Sequence, residues 1–367
     1  MKKSVIFFMP EIGGGGVEKN LFLVSKHLAS KIENTYLITA SKNYKNYFQK
    51  KIKIILPKSS FWNTKTRKIK YLICIYLLIK KIIFNKNFVI FAFQANLYCI
   101  LIAKIFRVKI IVRSNSSPEG WSKNIFKNLI FKILLKKADA IIVNSLDFKK
   151  QLYHKFSVNS ECIYNPVNTI EIINSSQKKI KNIDFKNKNK EHIKIINVGR
   201  FVDQKDQITL LKSLNLLKKQ LNFQAILLGQ GILYSDMRKY IKKNKLEKII
   251  KLRKFEKNPY PLIQQSDLFI LTSKFEGLPN VLLEAVVLKK PIISSECPTG
   301  PREILDSGKG GHLFKIGDYK ALSKIILKYN TDKKSFKIKS QFAFNRLSRF
   351  DFDKNMNKYY LLINSYL

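Results

Sequence analysis

Acidic side chains are scarce in this 367-residue chain: 25 Asp and Glu stand against 69 Lys and Arg, a formal charge of +44. From Asn34 to Pro118 there is no acid at all, against 17 Lys and Arg. Such a balance points first to nucleic acid, but a second shortage argues against it. Only nine of the 69 cations are Arg, the residue whose bidentate fork reads bases and clamps phosphates. No Arg-rich, aromatic-interleaved patch is present, so a basic nucleic-acid-binding protein is the weakest of the alternatives. Lys, Ile, Asn, Phe and Tyr are abundant together, as A/T-rich codons would make them. The excess is +23 in residues 1–166 and +21 in 167–367, spread as compositional bias would spread it.

Cysteine is also sparse. Cys74, Cys99, Cys162 and Cys297 share no CxxC and no pairing pattern, which excludes a disulfide framework and a structural zinc site and fits a reducing compartment. Long apolar runs are missing. A spanning helix needs about 20 apolar residues, and the nearest stretch, Phe88–Phe106, is interrupted by Gln94, Asn96 and Lys104. It reads as a buried strand followed by a buried helix. The opening MKKSVIFFMP imitates a signal peptide, but Glu11 and a glycine run follow it instead of a cleavage site. A first buried strand is expected there.

What is present is a folded α/β chain. Hydrophobic residues at 46% suit a packed core, and the length suits two domains of about 150 to 200 residues. Short β-branched or aromatic runs alternate with helical patterns, the signature of parallel sheets. Strands are expected near Val5–Phe8, Tyr36–Thr39, Ile52–Leu56, Val89–Phe93, Ile110–Arg113 and Ala140–Asn144, with helices such as Glu18–Ser30 and Arg67–Phe84 between them. The alternation pauses at Asn165-Pro166, and the Lys/Asn-rich stretch Asn174–His192 reads as linker or exposed loop.

A second alternation has strands at Lys194–Val198, Gln224–Leu228, Ile249–Leu252, Leu268–Thr272, Pro291–Ser294 and His312–Phe314. Its helices are expected at Gln207–Lys219, Tyr234–Lys243, Val281–Leu288 and Tyr319–Lys328, and the tail Phe350–Leu367 is a further helix candidate. Two doubly wound domains on a short hinge make a ligand cleft between them the default expectation.

Four motifs sit where strands run into helices. Gly13 to Gly16 follow the first strand, so the backbone there could approach an anion at a helix N-terminus; a plain tight turn, with Glu18 complementing the helix dipole, is the other reading. Val198-Gly199-Arg200-Phe201-Val202-Asp203-Gln204-Lys205 presents a fork and a point charge suited to a diphosphate, or simply two more cations. Ser273 to Glu284 places two scarce acids at E-x7-E spacing: Glu276 on the strand-tip loop and Glu284 inside an apolar helix. A carboxylate there needs a partner or a polar ligand, unless it lies on a solvent face. In Cys297-Pro298-Thr299-Gly300-Pro301-Arg302-Glu303, Pro301 reads as a first helical residue and Thr299 or Gly300 as its cap.

The ordered set GGGGVE, VGRFVDQKD, LLGQG, FEGLPNVLLEA and CPTGPREIL, with the hinge Asn165-Pro166-Val167, resembles family 4 of the retaining glycosyltransferases nearly end to end. The resemblance implies the GT-B fold, with two Rossmann-like domains facing a cleft. They would be an acceptor domain at 1–166, joined by a C-terminal helix (350–367) that crosses back to it, and a nucleotide-sugar donor domain at 167–349. It implies that Arg200 and Lys205 bind the donor diphosphate, that Glu284 takes the ribose hydroxyls, and that Glu276 with the backbone of Gly277 and Leu278 holds the sugar. Glu276, Arg200 and Lys205 would be the catalytic groups, Gly15 and Gly16 would face the diphosphate, and Arg253-Lys254-Phe255 would border the base. No metal and no cofactor would be needed, the nucleotide-sugar being a substrate, and no residue need be a general base.

The chain departs from that family in one loop. Many members have a His after the strand corresponding to Ile110–Arg113; here Asn115 stands in Arg113-Ser114-Asn115-Ser116, so Arg113 and Asn115 are the acceptor-side candidates. The four histidines, His27, His154, His192 and His312, fall elsewhere. Ser122 to Lys137 sets Lys123, Lys127, Lys132 and Lys136 around Ile125, Phe126, Leu129 and Ile130, either a basic helix for an anionic membrane surface or an ordinary packed helix with a solvated Lys face. The expected function is transfer of a hexosyl or N-acetylhexosaminyl group from a nucleotide-sugar, a UDP-sugar first, to a lipid-linked or glycan acceptor. The enzyme would act in cell-surface polysaccharide synthesis, in the cytoplasm and peripheral to the inner membrane face. A sugar-nucleotide epimerase on the same fold is the alternative; it needs acids and bases on both sides of the sugar, and the first domain offers only Glu11, Glu18 and Glu119 near its strand tips.

Overall fold

The computed structural model describes residues 3–13, 15–59, 61–62, 65–115, 118, 121–122, 124–179, 185 and 192–367. Gly14, Ser116, Glu119, Lys123 and most of the stretch read as a linker lie outside these residues. The chain divides into two compact units, Met1–Pro166 with Phe352–Leu367, and Val167–Asp351.

The first unit is a seven-stranded sheet in the order β3-β2-β1-β4-β5-β6-β7, all parallel. Its strands are β1 (Ser4–Phe8), β2 (Asn34–Ile38), β3 (Ile52–Ile55), β4 (Val89–Ala92), β5 (Lys109–Arg113), β6 (Ala140–Val143) and β7 (Glu161–Cys162). β1 and β4 are buried along their whole length, because parallel strands are covered on both faces and so are written as continuous apolar runs. Alternate residues go to opposite faces. Ile6 and Phe8 join Cys74, Leu78 and Ile82 of α2 (Arg67–Phe84), Cys99 and Ile100 of α3 (Asn96–Ile105), Leu135 of α4 (Ile125–Leu135) and Phe148 of α5 (Leu146–Phe156). Val5 and Phe7 join Leu21, Val24 and Leu28 of α1 (Gly16–Lys31) and Met356, Tyr359 and Ile363 of the C-terminal helix, Phe352–Asn364.

That C-terminal helix is fixed by a buried cation. Arg113 is fully buried, and its Nε donates to Tyr359 Oη at 2.8 Å while another nitrogen donates to Asn165 Oδ1 at 2.6 Å. Lys3 and Tyr366 add contacts at the helix end, to Asn364 Oδ1 (2.7 Å) and to the Asp139 carbonyl (2.9 Å).

The second unit is a six-stranded parallel sheet in the order β10-β9-β8-β11-β12-β13. After α6 (Thr169–Ser176) come β8 (Ile193–Val198), α7 (Gln207–Leu217), β9 (Phe223–Leu228), α8 (Tyr234–Lys243), β10 (Ile250–Arg253) and α9 (Tyr260–Gln265). Then follow β11 (Leu268–Leu271), α10 (Asn280–Val287), β12 (Ile292–Ser295), α11 (Pro301–Ile304), β13 (His312–Phe314), α12 (Tyr319–Thr331) and α13 (Lys333–Asn345). Where the chain enters and leaves this unit the backbone is paired: Val167 N–H donates to Phe350 O at 2.9 Å, and Val167 bridges Asp351.

Four elements were not expected from the sequence, the short helix α9 among them. β7 is two residues long. α6 reaches into the stretch read as linker; Asn168 caps it by accepting from Glu171 N–H at 3.0 Å, and Ile172 is buried. α13 buries Phe336, Ser340 and Ala343 at helical spacing, but the lysines between them hide the period. Pro301 does open a helix, with Gly300 at the cap position.

Tyr359→Phe leaves the buried Arg113 with one donor unpaired, so the first unit is expected to lose about 1–3 kcal/mol, read as a lower urea midpoint. His312 is the second probe. Its ring lies 4.1 Å from that of Phe336, and its Nε2 has no hydrogen-bond partner among the described residues. Burial first, then the Lys339 and Lys328 charges, lower its pKa to about 4 against a weaker opposing pull from Asp332. A lowered folded pKa means that the unfolded state takes up its proton first. Its stabilising contribution is therefore full above about pH 6.5 and is lost as the pH falls toward about 4. Melting temperature should fall over that window, and His312→Gln should flatten the fall.

Candidate active site

In the second sheet the strand order reverses at β8, which has β9 on one side and β11 on the other. In parallel α/β sheets ligands bind beyond the carboxyl ends at such a switch point. Three loops meet there, after β8, β11 and β12. Lys274 N–H donates to Gln204 O at 2.8 Å and Gln204 Nε2 to Phe275 O at 2.9 Å. Thr272 Oγ1 donates to Lys205 O at 2.9 Å, Ser295 Oγ to Ser273 O at 2.6 Å, and Thr299 Oγ1 to Glu276 O. Two glycines permit the close approach. A Cβ on Gly229 would lie 1.9 Å from Gly199 O, and one on Gly300, at φ +87°, would lie 2.1 Å from Gly277 O.

The charges sit on this frame. Lys205 Nζ pairs with the Glu276 carboxylate, both side chains largely out of water. Ser273 Oγ–H donates to the same carboxylate oxygen at 2.6 Å. Arg200 is exposed at the start of the β8 loop, and its carbonyl accepts from the buried Gln207 side chain at 3.0 Å. Glu284 is buried on α10 among Leu283, Ala285 and Val286, and the Tyr260 hydroxyl donates to its Oε1 at 3.3 Å. Gly277 and Leu278 are buried beside Glu276. Arg253 is held by Glu256 at 2.9 Å, leaving Phe255 exposed. Cys297 donates to Ser273 O at 3.1 Å; burial and the nearby Glu276 charge push its thiol up to about 12, so it is no nucleophile. Among the described residues no group of three or more His, Cys, Asp or Glu is placed to hold a metal ion.

In the first unit the glycine run behaves differently from a bare anion cradle. Glu18 Oε1 accepts from Gly13 N–H at 3.2 Å, and a Cβ on Gly15, the cap residue of α1, would lie 2.9 Å from Glu18 Oε2. A carboxylate of the chain therefore rests at the N-terminal end of α1, where Gly16 begins the helix. Arg113 is a correction to the expected acceptor side. Its guanidinium is fully buried and hydrogen-bonded to Tyr359, Asn165 and Asn115, which leaves it no route to an acceptor. Asn115 is half-buried, with its Nδ2 toward Phe93 O at 3.3 Å. His27 lies on α1, His154 on α5, His312 on β13, and His192 just before β8, all away from the strand-tip loops.

In the sequence Ser273 reads only as part of its motif and Thr299 only as a cap candidate, and Tyr260 does not stand out; their contacts with Glu276 and Glu284 come from the structure. Ser273 stands three residues before Glu276, a spacing at which a hydroxyl reaches a loop carboxylate, so that contact has a local signature. Thr299 and Tyr260 act across 23 and 24 residues and leave no local trace.

Residues 178–345 match the family described as glycosyl transferases group 1. An uncharacterized glycosyltransferase of Methanocaldococcus jannaschii is 33% identical over 217 residues, 56% of this chain and 53% of that one. The Campylobacter jejuni N-acetylgalactosamine-N,N'-diacetylbacillosaminyl-diphospho-undecaprenol 4-alpha-N-acetylgalactosaminyltransferase is 26% identical over 274 residues, 72% of this chain and 73% of the relative. The first of these matches thus spans about half of its relative's length and the second about three quarters. Among solved structures, Anabaena HepE in complex with UDP and glucose superposes with a TM-score of 0.78 at 16% identity, covering 99% of each chain. The fold is the GT-B fold of such glycosyltransferases.

Two glycines with positive φ separate strain from collision. A Cβ added to Gly317, at φ +77°, would have nothing within 4 Å, whereas one on Gly300 meets backbone. Gly317→Ala should cost about 1 kcal/mol and Gly300→Ala distinctly more, about 3 kcal/mol, measured as thermal shifts, with faster proteolysis in the 272–280 loop for Gly300→Ala only.

Proposed function

From a chain whose residues 178–345 match glycosyl transferases group 1, we propose a retaining, metal-independent glycosyltransferase. It moves a hexosyl or N-acetylhexosaminyl group from a UDP-sugar to a lipid-linked or glycan acceptor in cell-surface polysaccharide synthesis. The observation that carries this is the largely buried Lys205–Glu276 pair at the switch point, with Arg200 exposed on the same loop as Lys205 and Glu284 buried on the helix after Glu276. Cations for a diphosphate and carboxylates for sugar hydroxyls lie on adjoining strand ends of one sheet. UDP in the complex of HepE and the diphospho-undecaprenol in the C. jejuni relative's name support the donor and acceptor classes. The relatives' names speak for glycosyl transfer and lend no support to epimerisation.

Before a donor binds, Lys205 is neutralised by Glu276. A diphosphate with two negative charges competes for the ammonium and engages Arg200 from the solvent side, while Ser273 keeps Glu276 oriented toward the sugar hydroxyls. Glu284 accepts from the ribose hydroxyls, and Tyr260 fixes its rotamer. In the transfer the bond from C1 to the phosphate oxygen breaks as a bond from C1 to the acceptor oxygen forms on the same face. The acceptor's proton passes to the departing phosphate, so no protein base is consumed. Arg200 and Lys205 stabilise the charge growing on that phosphate, the kind of contribution worth about 10²–10³ in rate per donor. Among the described residues no helix is long and apolar enough to cross a membrane; the proposed site of action is the inner membrane face, reached peripherally.

Arg200→Ala is expected to lower kcat/KM by about 10²-fold or more and Glu284→Ala to weaken UDP binding about tenfold, by radiolabelled transfer and calorimetry. Product NMR should show the donor's anomeric configuration retained, and chelators should leave the rate unchanged. Wild-type behaviour of both variants would sink the assignment of the site.

A further inference from the structure

The helices α2, α3 and α4 lie side by side on one face of the first sheet, α3 packing against both of the others. Each buries one stripe in the common core and leaves the opposite stripe in water. On α2, Cys74, Leu78 and Ile82 are buried, while Leu72, Tyr76 and Ile83 are each more than half exposed. On α3 the exposed residues are Tyr98, Leu101 and Ile105. On α4 the imbalance is greatest. Leu135 is its one fully buried residue, whereas Ile125 and Phe126 are 81% and 78% exposed and Leu129 and Ile130 are each 53% exposed. Single exposed apolar residues are ordinary, but a set spread over three adjoining helices is the mark of an interaction surface.

The charge of this face restricts its partner. None of the three helices contains an acid, and exposed Lys68, Lys80, Lys127 and Lys136 flank the apolar stripes. Lysine is depleted at protein–protein interfaces, and a second copy of this face would bring lysines against lysines with no carboxylate between them. Anionic headgroups instead pair with the lysines, while Phe, Leu and Ile enter the acyl boundary and the two tyrosines suit the interfacial level.

We propose that the outward face of α2, α3 and α4 is a docking surface for an anionic lipid bilayer. This rests on the peripheral placement proposed above and deepens it by naming the surface that makes the contact; its test involves no nucleotide and is therefore separate from the donor site.

The test is flotation of the full chain with vesicles of phosphatidylcholine alone or of phosphatidylcholine with phosphatidylglycerol. Partitioning should favour the anionic vesicles by about tenfold or more and weaken with salt. Lys127→Glu with Lys136→Glu should reduce it by about 25-fold, about fivefold for each cation lost. Phe126→Trp places a fluorophore at an exposed position; its emission should shift to the blue with anionic vesicles. Unchanged circular dichroism and melting show that these surface variants fold. Equal partitioning onto both vesicle types, an unshifted tryptophan, or concentration-dependent dimerisation abolished by Phe126→Ser would each overturn the proposal, the last by assigning the face to a second copy. A failure of UDP binding with vesicle binding intact would overturn only the donor-site reading.

Discussion

The second unit turns on one ion pair, the Lys205 ammonium against the Glu276 carboxylate, both largely withdrawn from water. Burying two charges costs several kcal/mol each, and such pairs are often replaceable by apolar residues without loss of stability. The pair is therefore a poor device for holding a fold together and needs another reason to stand at a strand tip. Around it the structure is over-determined. Ser273 and Thr299 fix the Glu276 loop, Gln204 and Lys274 tie it to the Lys205 loop, and Gly300 allows a third loop to press against Gly277. In the proposed donor site that frame would keep both charges in place as they exchange each other for a ligand, since neither would have to be re-ordered on binding. Pre-organisation of this kind is where electrostatic catalysis gains most of its effect.

The first unit uses a buried charge in the opposite way. Arg113 has its donors engaged by the C-terminal helix, the hinge residue Asn165 and the neighbouring Asn115. It is fully buried, and it attaches a helix that arrives 246 residues later in the chain. Two buried cations with different neighbours thus do different work. Lys205 faces a carboxylate, which the proposed donor diphosphate would displace, while Arg113 faces neutral acceptors built into the core.

The sheets were readable in the sequence because fully buried parallel strands are written as unbroken apolar runs, such as VIFA and LFIL. The helices α2 and α8 were readable to the residue, where polar or turn-forming neighbours bound a clean period. α13 was not, since the pattern KKSFKIKSQFAFN crowds its buried stripe with lysines. At the site, parallel topology made the strand-tip motifs visible, but it could not show who pairs with whom. Lys205 meets Glu276 across 71 residues, and Glu18 folds back over the glycine run within five. Arg113 read as an acceptor-side residue because the resemblance sets it beside the loop where many members have a His, and its partner Tyr359 in the last helix leaves no trace near it in sequence.

Residue counts alone could not divide the +44 into bias and function; exposure can. Most of the described lysines are exposed, as a compositional habit would place them. On α4 they flank Ile125, Phe126, Leu129 and Ile130, which an ordinary packed helix would have buried and which here stay in water. A solvated Lys face opposite a buried stripe needs no explanation; a Lys-flanked stripe of exposed Phe and Ile does. The same acid-free composition that argues against a protein partner there favours a surface of opposite charge with an apolar interior, and a bilayer supplies both.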